Sequence, residues 1–228
     1  MKIPTDPDEI LSSLTALSTS IRDGLDAGSL EVRQFFERRS RDQRKPIEIN
    51  KPVATNIMRY VALNHVKTNR KLGAEYHLEE MNNNGISARF DWCHVKVYKT
   101  LGEEPPVAHN THRSRRFYSH GRAAQPKLSG VEWDRQWQHQ DWKEIAPTLD
   151  IANLIYGWEV DSNYTVIRVQ LFSPRVSGKY KQGVKLFWRR DVPHPILGLA
   201  GIPMLNDYQE VDDLPVFFED AAEQGDDD

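Results

Sequence analysis

The chain has 228 residues, 39% hydrophobic and 28% charged, with a single cysteine, Cys93, and a formal net charge of −3. That length admits one large domain or two small ones with a real core, and one cysteine excludes an intramolecular disulfide framework and fits a reducing compartment. No apolar run approaches the roughly twenty residues that span a bilayer, and the acidic N-terminus MKIPTDPDEI has no signal-peptide core, so the expectation is a soluble cytoplasmic protein (in the host cytoplasm if viral) with no membrane contact.

Thr5 or Asp6 before Pro7 marks a helix start, because a short polar side chain caps orphan N–H groups and proline suits the first turn. Ile10, Leu11, Leu14, Leu17, Ile21 and Leu25 then fall on one helical stripe. Gly28 reads as a stop, with a second helix restarting at Ser29 and running through Phe35 and Phe36 to about Arg44, before Pro46. Pro52 opens a third helix whose apolar face is Val53, Ile57, Tyr60, Val61 and Val66. Lys71 to Met81 reads as a fourth, ended by the turn-forming Asn82-Asn83-Asn84-Gly85.

Beyond residue 85 the pattern changes to strands. Ile86 to Tyr98 alternates, with Phe90, Trp92, His94, Lys96 and Tyr98 on one parity and Cys93, Val95 and Val97 on the other. Residues 101–130, with Pro105, Pro106, Gly121, Pro126 and Gly130, read as a long basic loop of the kind that is functional or disordered. Trp133, Trp137 and Trp142 suggest a short helix, Leu154 to Phe172 a hairpin turning at Asp161-Ser162-Asn163, and Gly183 to Arg190 a further strand. The fold class expected is α+β: a helical region over 1–85, a mainly antiparallel β region over 86–204, and an acidic tail over 205–228 that reads as disordered.

Charge is segregated along this plan. Residues 31–130 carry 19 Lys and Arg against 10 Asp and Glu, a surplus of nine, whereas residues 205–228 carry ten carboxylates and no Lys or Arg. Charge placement of this kind speaks to partners rather than to fold. Aromatic and basic residues also alternate in ARFDWCHVKVYK (88–99), RSRRFYSH (113–120) and KYKQGVKLFWRR (179–190). Single-stranded nucleic acid is held by cations that track phosphates and by rings that stack on bases. The expected phosphate contacts are Lys96, Lys99, Arg113, Arg115, Arg116, Lys179, Lys181, Lys185, Arg189 and Arg190. The expected stacking rings are Trp92, Tyr98, Phe117, Tyr118, Tyr180 and Trp188. The competing reading of the same residues is an antiparallel sheet whose rings fill a core and whose lysines are solvated.

The tail segment NDYQEVDDLPVFFED mixes carboxylates with Leu214, Pro215, Val216, Phe217 and Phe218. It resembles the acidic, Pro-Phe-bearing tails of bacterial and phage single-stranded-DNA-binding proteins. The resemblance implies a tail that competes with DNA for a basic groove and recruits a protein partner. Ten residues follow Phe218, where that family ends at its Phe. No family is recognised across the body of the chain.

Other chemistries find less support. His109, His112 and His120 approach metal-ligand spacing, but Arg113, Arg115 and Arg116 would repel a cation. No metal or cofactor is expected. Glu159 and Asp161, two apart on a strand, and the pair Asp91 and Lys96 are the nearest approach to a metal-dependent nuclease, without a complete motif. A helix-turn-helix over residues 52–85 with Ile86–Tyr98 as its wing would put Glu75, Glu79 and Glu80 against phosphates. No phosphate-loop, dinucleotide or nucleophile-elbow motif is present. The function expected is non-catalytic nucleic-acid binding, single strands favoured, in phage or mobile-element replication or recombination. A self-associating assembly protein is the first alternative and a nuclease the second.

Overall fold

Asp6 and Asn50 set the first helical boundaries. The Asp6 carboxylate accepts from the Asp8 N–H at 3.0 Å, and the Asn50 side chain accepts from the Val53 N–H at 3.2 Å. They open helices α1 (Pro7–Ser13) and α3 (Lys51–Thr68), each with proline in its first turn. Between them α2 runs unbroken from Thr15 to Gln43 and ends at Arg44, whose φ of 51° is left-handed. The computed structural model describes residues 2–44, 48–69, 72, 76–81, 85–100, 102–106, 112–120, 140–175 and 184–193, apart from the side chains at 80, 81, 112, 113 and 115. All of them belong to one compact unit, Met1–Pro195. The tail 205–228 lies outside the described residues.

The expected stop at Gly28 is not a stop. The chain bends instead at Leu14 (φ −101°, ψ 12°), and both Gly24 and Gly28 lie inside α2. Their role is proximity. A Cβ on Gly24 would come within 2.6 Å of Ala62 Cα, and one on Gly28 within 2.7 Å of Met58 Cα. The two glycines let the backbones of α2 and α3 touch, and that contact outweighs their low helix propensity. The expected stripe is otherwise intact: Ile10, Leu14, Leu17, Ile21 and Leu25 are all buried.

Six strands follow in sheet order β1 (His77–Met81), β2 (Gly85–Arg89), β3 (Cys93–Lys99), β4 (Ala152–Val160), β5 (Val166–Pro174) and β6 (Leu186–Asp191). Every neighbouring pair is antiparallel except β3 and β4, which are parallel from Cys93↔Ala152 to Lys99↔Trp158. The α+β class and the β4–β5 hairpin thus follow the sequence. Two expected elements do not. The helix expected over Lys71–Met81 is strand from His77 onward, because cross-strand pairing with Gly85–Arg89 overrides the helix preference of Leu, Glu and Met. The single strand expected over Ile86–Tyr98 is a hairpin: the chain reverses at Phe90–Trp92, closed by the Phe90 N–H bond to the Cys93 carbonyl at 2.8 Å. The helix-turn-helix reading falls with the first of these corrections.

Sheet parity sorts the core. Ala88, Val95, Leu154, Tyr156, Trp158, Val169 and Leu171 share a buried core with α1, α2 and α3, and the Tyr156 hydroxyl meets Ser18 of α2. On the opposite face a smaller core forms from Ile155, Phe172 and Val184 under Phe117 and Tyr118. Those two rings come from α4 (His112–Tyr118), a helix inside the stretch expected to be loop. Gly157 faces the same way; a Cβ there would lie 2.6 Å from both the Phe172 ring and the Thr100 methyl. A last short helix, α5 (Trp142–Ile145), leads into a 3-10 turn at Ala146–Thr148. No helix among the described residues is long and apolar enough to cross a membrane.

Gly28→Ala should destabilise by about 1–3 kcal/mol through overpacking against Met58, despite alanine's better helix propensity. Urea unfolding checks this; a stabilised variant would mean that α2 and α3 do not touch there. Burial also holds the Tyr118 and Tyr156 phenols well above their usual 10.0. A raised folded pKa contributes stability that is complete below pH 10 and is lost as pH rises beyond it, because the unfolded chain ionises first. Unfolding free energy should therefore fall from about pH 10 upward in alkaline denaturation.

Candidate nucleic-acid interface

The face of the sheet that carries α4 also carries the charge. Register places His77 and Glu79 of β1, Ser87 and Arg89 of β2, His94 and Lys96 of β3, and Asn153 of β4 on that side. α4 covers only part of it. Between α4, the 148–151 turn and strands β2 and β3 a cleft of about 540 Å³ remains, lined by Arg89, His94, Lys96, Arg116, Phe117, His120, Asn153 and residues 148–151. Arg89, Lys96 and Arg116 bring three basic side chains to it, and Asp150 is the one carboxylate among its described lining residues.

The groups beneath the cleft are held in place. Ser87 donates to Glu79 Oε2 at 3.3 Å, so its remaining lone pair takes the Nε2–H of His94 at 2.7 Å. Glu79 also lies 3.7 Å from Arg89. The Lys96 ammonium sits 4.4 Å above the Phe117 ring, and His94 meets the same ring edge-on at 5.1 Å. A cation over an aromatic face is attracted by the ring quadrupole while its stem is buried. His120, in left-handed backbone with φ 52°, accepts the Asn153 N–H on Nδ1 at 2.9 Å. Its Nε2–H therefore donates to the Pro174 carbonyl, at 2.7 Å. The Asn153 amide donates to the Phe117 carbonyl at 2.8 Å. His120 thus ties the end of α4 to β4 and β5; it is an organiser of the cleft wall.

Of the expected contact residues, Lys96 and Arg116 meet in this cleft. Lys99 lies on the other sheet face, its Nζ 3.2 Å from Thr55 Oγ1 of α3. Arg189 and Arg190 are ion-paired, to Glu103 at 2.7 Å and Asp8 at 2.5 Å, and Lys185 is exposed beside β6. Arg113 and Arg115 lie on α4, but their side chains, and all of Lys179, Tyr180 and Lys181, are outside the described residues. The rings fare differently from the expectation. Trp92, Phe117, Tyr118 and Trp188 are 6%, 6%, 2% and 8% exposed, so protein already covers their faces. Trp92 turns into the helix-side core because the Phe90–Trp92 reversal breaks the alternation. Tyr98 is half-buried, its phenol pushed up by burial and drawn back by Arg59.

Of the carboxylates weighed for a nuclease, Glu159 and Asp161 are engaged by backbone N–H groups. Glu159 accepts from the Gly102 N–H at 3.0 Å and sits 3.6 Å from Arg168, while Asp161 accepts from the Asn163 and Thr165 N–H groups at 2.8 Å each. Among the described residues no three His, Cys, Asp or Glu side chains are grouped to hold a metal ion. Cys93 is buried, and burial drives its thiol far above the usual range, away from nucleophilic thiolate. Sequence reading missed Arg89 and His94. Both stand in ARFDWCHVKVYK, but a continuous strand puts them on opposite faces, and only the reversal makes them cross-strand partners on one face. Comparison with protein-family models, curated proteins and solved structures gives no match to this chain.

His120→Asn keeps a residue that tolerates positive φ but shortens its reach. With the buried Asn153 N–H and Pro174 C=O both unpaired, it should cost on the order of 2–4 kcal/mol in urea unfolding. A loss below about 1 kcal/mol would show that these two bonds do not hold the wall.

Proposed function

We propose that this protein binds nucleic acid without catalysing its breakdown, and that it favours single strands. The observation that carries the reading is the cleft: Arg89, Lys96 and Arg116 converge on one concave surface with one carboxylate among its lining residues. Cation density of that kind suits phosphate oxygens, and Arg adds planar, two-pronged hydrogen bonding. Lys96 is recessed against Phe117 while Arg89 and Arg116 stand exposed at the rim, and an extended strand can follow such a path inward more readily than a stiff duplex. With four of the six expected stacking rings in the core, affinity rests on phosphates and strand access, and base stacking falls to Tyr98 and Tyr180. Lys185, exposed beside β6, extends the path in this reading. The acidic tail 205–228 competes for the cleft and is displaced by nucleic acid or offered to a protein partner; its ten carboxylates are the support for that role. Replication or recombination in a phage or mobile element is the setting proposed.

The test is a labelled oligonucleotide titrated against the full chain at two salt concentrations. Arg116→Gln should weaken binding and lower the salt slope by about 0.7, one single-strand phosphate contact. Deleting residues 205–228 should tighten binding. Absence of salt-dependent binding with and without the tail would overturn the reading.

A further inference from the structure

A second cation cluster lies on the helix side of the sheet. Lys51, Thr55 and Arg59 are four residues apart in succession, so they form one stripe along α3. Lys99 of β3 meets the middle of that stripe through Thr55 at 3.2 Å, with its ammonium 5.6 Å from the Trp158 ring and 5.5 Å from the Tyr164 ring. We propose that Lys51, Arg59 and Lys99, with the Thr55 hydroxyl, form an anion site for a phosphate group, separate from the cleft beside α4.

Three features of the unliganded protein favour this reading over a merely solvated surface. Arg168, Arg189 and Arg190 all sit within 4 Å of carboxylates, whereas Lys51, Arg59 and Lys99 form no such pair within the described residues. Lys51 stands in the first turn of α3, which has no acidic residue, where the helix dipole already disfavours a cation. Burial first, then Arg59 and Lys51, pull the Lys99 pKa below its ordinary value, so the three charges crowd one another. Each feature is an electrostatic cost without ligand, and a bound dianion removes all of them together.

The probe is pyrophosphate, titrated calorimetrically into the full chain at low salt. Wild type should bind it. Lys51→Gln and Arg59→Gln should each weaken binding about tenfold, the loss of one charge-assisted contact, and Lys143→Gln, at an exposed cation on α5 outside both sites, should not. Lys51→Gln relieves repulsion, so its urea midpoint should hold or rise; lost binding in that variant is then not lost folding. Pyrophosphate binding that is absent in wild type, or unchanged in both variants, overturns the site. Oligonucleotide binding separates the sources. A fall with Lys51→Gln assigns the site to a phosphodiester chain, and no fall, with pyrophosphate binding lost, assigns it to a free phosphate. Binding of pyrophosphate through these residues in a protein that takes no oligonucleotide would keep this site and sink the nucleic-acid reading.

Discussion

Parallel pairing of β3 with β4 is the constraint from which the cleft follows. Antiparallel neighbours can be joined by a tight turn, but parallel ones need a crossover that returns the chain to the starting end of the sheet. Here the crossover is residues 100–151; α4 and the 148–151 turn lie on the face opposite α2 and α3, while α5 and the residue after it return Trp142 and Ala146 to the core shared with those helices. That face is too polar to be sealed. Its β1–β3 portion carries Glu79, Ser87, Arg89, His94 and Lys96, and apolar cover begins only at Ile155 and Phe172. α4 therefore packs on the apolar half and reaches the polar half through Phe117, against His94 and Lys96, and the uncovered remainder beside it is the cleft.

The same division explains why the polar half is ordered. Burying polar groups costs free energy unless each finds a partner. Ser87, His94 and Glu79 satisfy one another, His120 serves two backbone groups, and Lys96 caps a ring. The cleft floor is thus preorganised, with Lys96 already held over the Phe117 ring rather than left to order on arrival of a ligand.

The elements read best from sequence were those governed by local chemistry. Asp6, Asn50 and their prolines set helix starts, the Ile10–Leu25 stripe set a buried face, and Asp161 set the β4–β5 turn, where its carboxylate takes two backbone N–H groups. What went unread depended on distant partners. Gly28 looks like a helix stop until Met58 is known to lie against it, and Leu78-Glu79-Glu80-Met81 looks helical until Gly85–Arg89 pairs with it. The reversal at Phe90–Trp92 has no Gly or Pro to mark it, so the alternation seemed to continue through it. That one misreading inverted Trp92, sent it to the wrong face, and hid the pairing of Arg89 with His94. The site was legible as a basic segment and illegible as a surface.

Ion pairing then sorts the basic residues into two kinds, which composition alone does not do. Along β5 and β6, arginines are matched to Glu103, Glu159 and Asp8, and such exposed pairs contribute little beyond holding neighbouring segments together. Around Thr55, and at Arg116 on the cleft rim, no carboxylate among the described residues comes within 4 Å of the cations. Crowded like charges destabilise a folded chain, and Lys51, Arg59 and Lys99 crowd one another where α3 meets β3. The proposed ligands, a polyanion at the cleft and a phosphate group on α3, carry the sign of charge that would offset these cations.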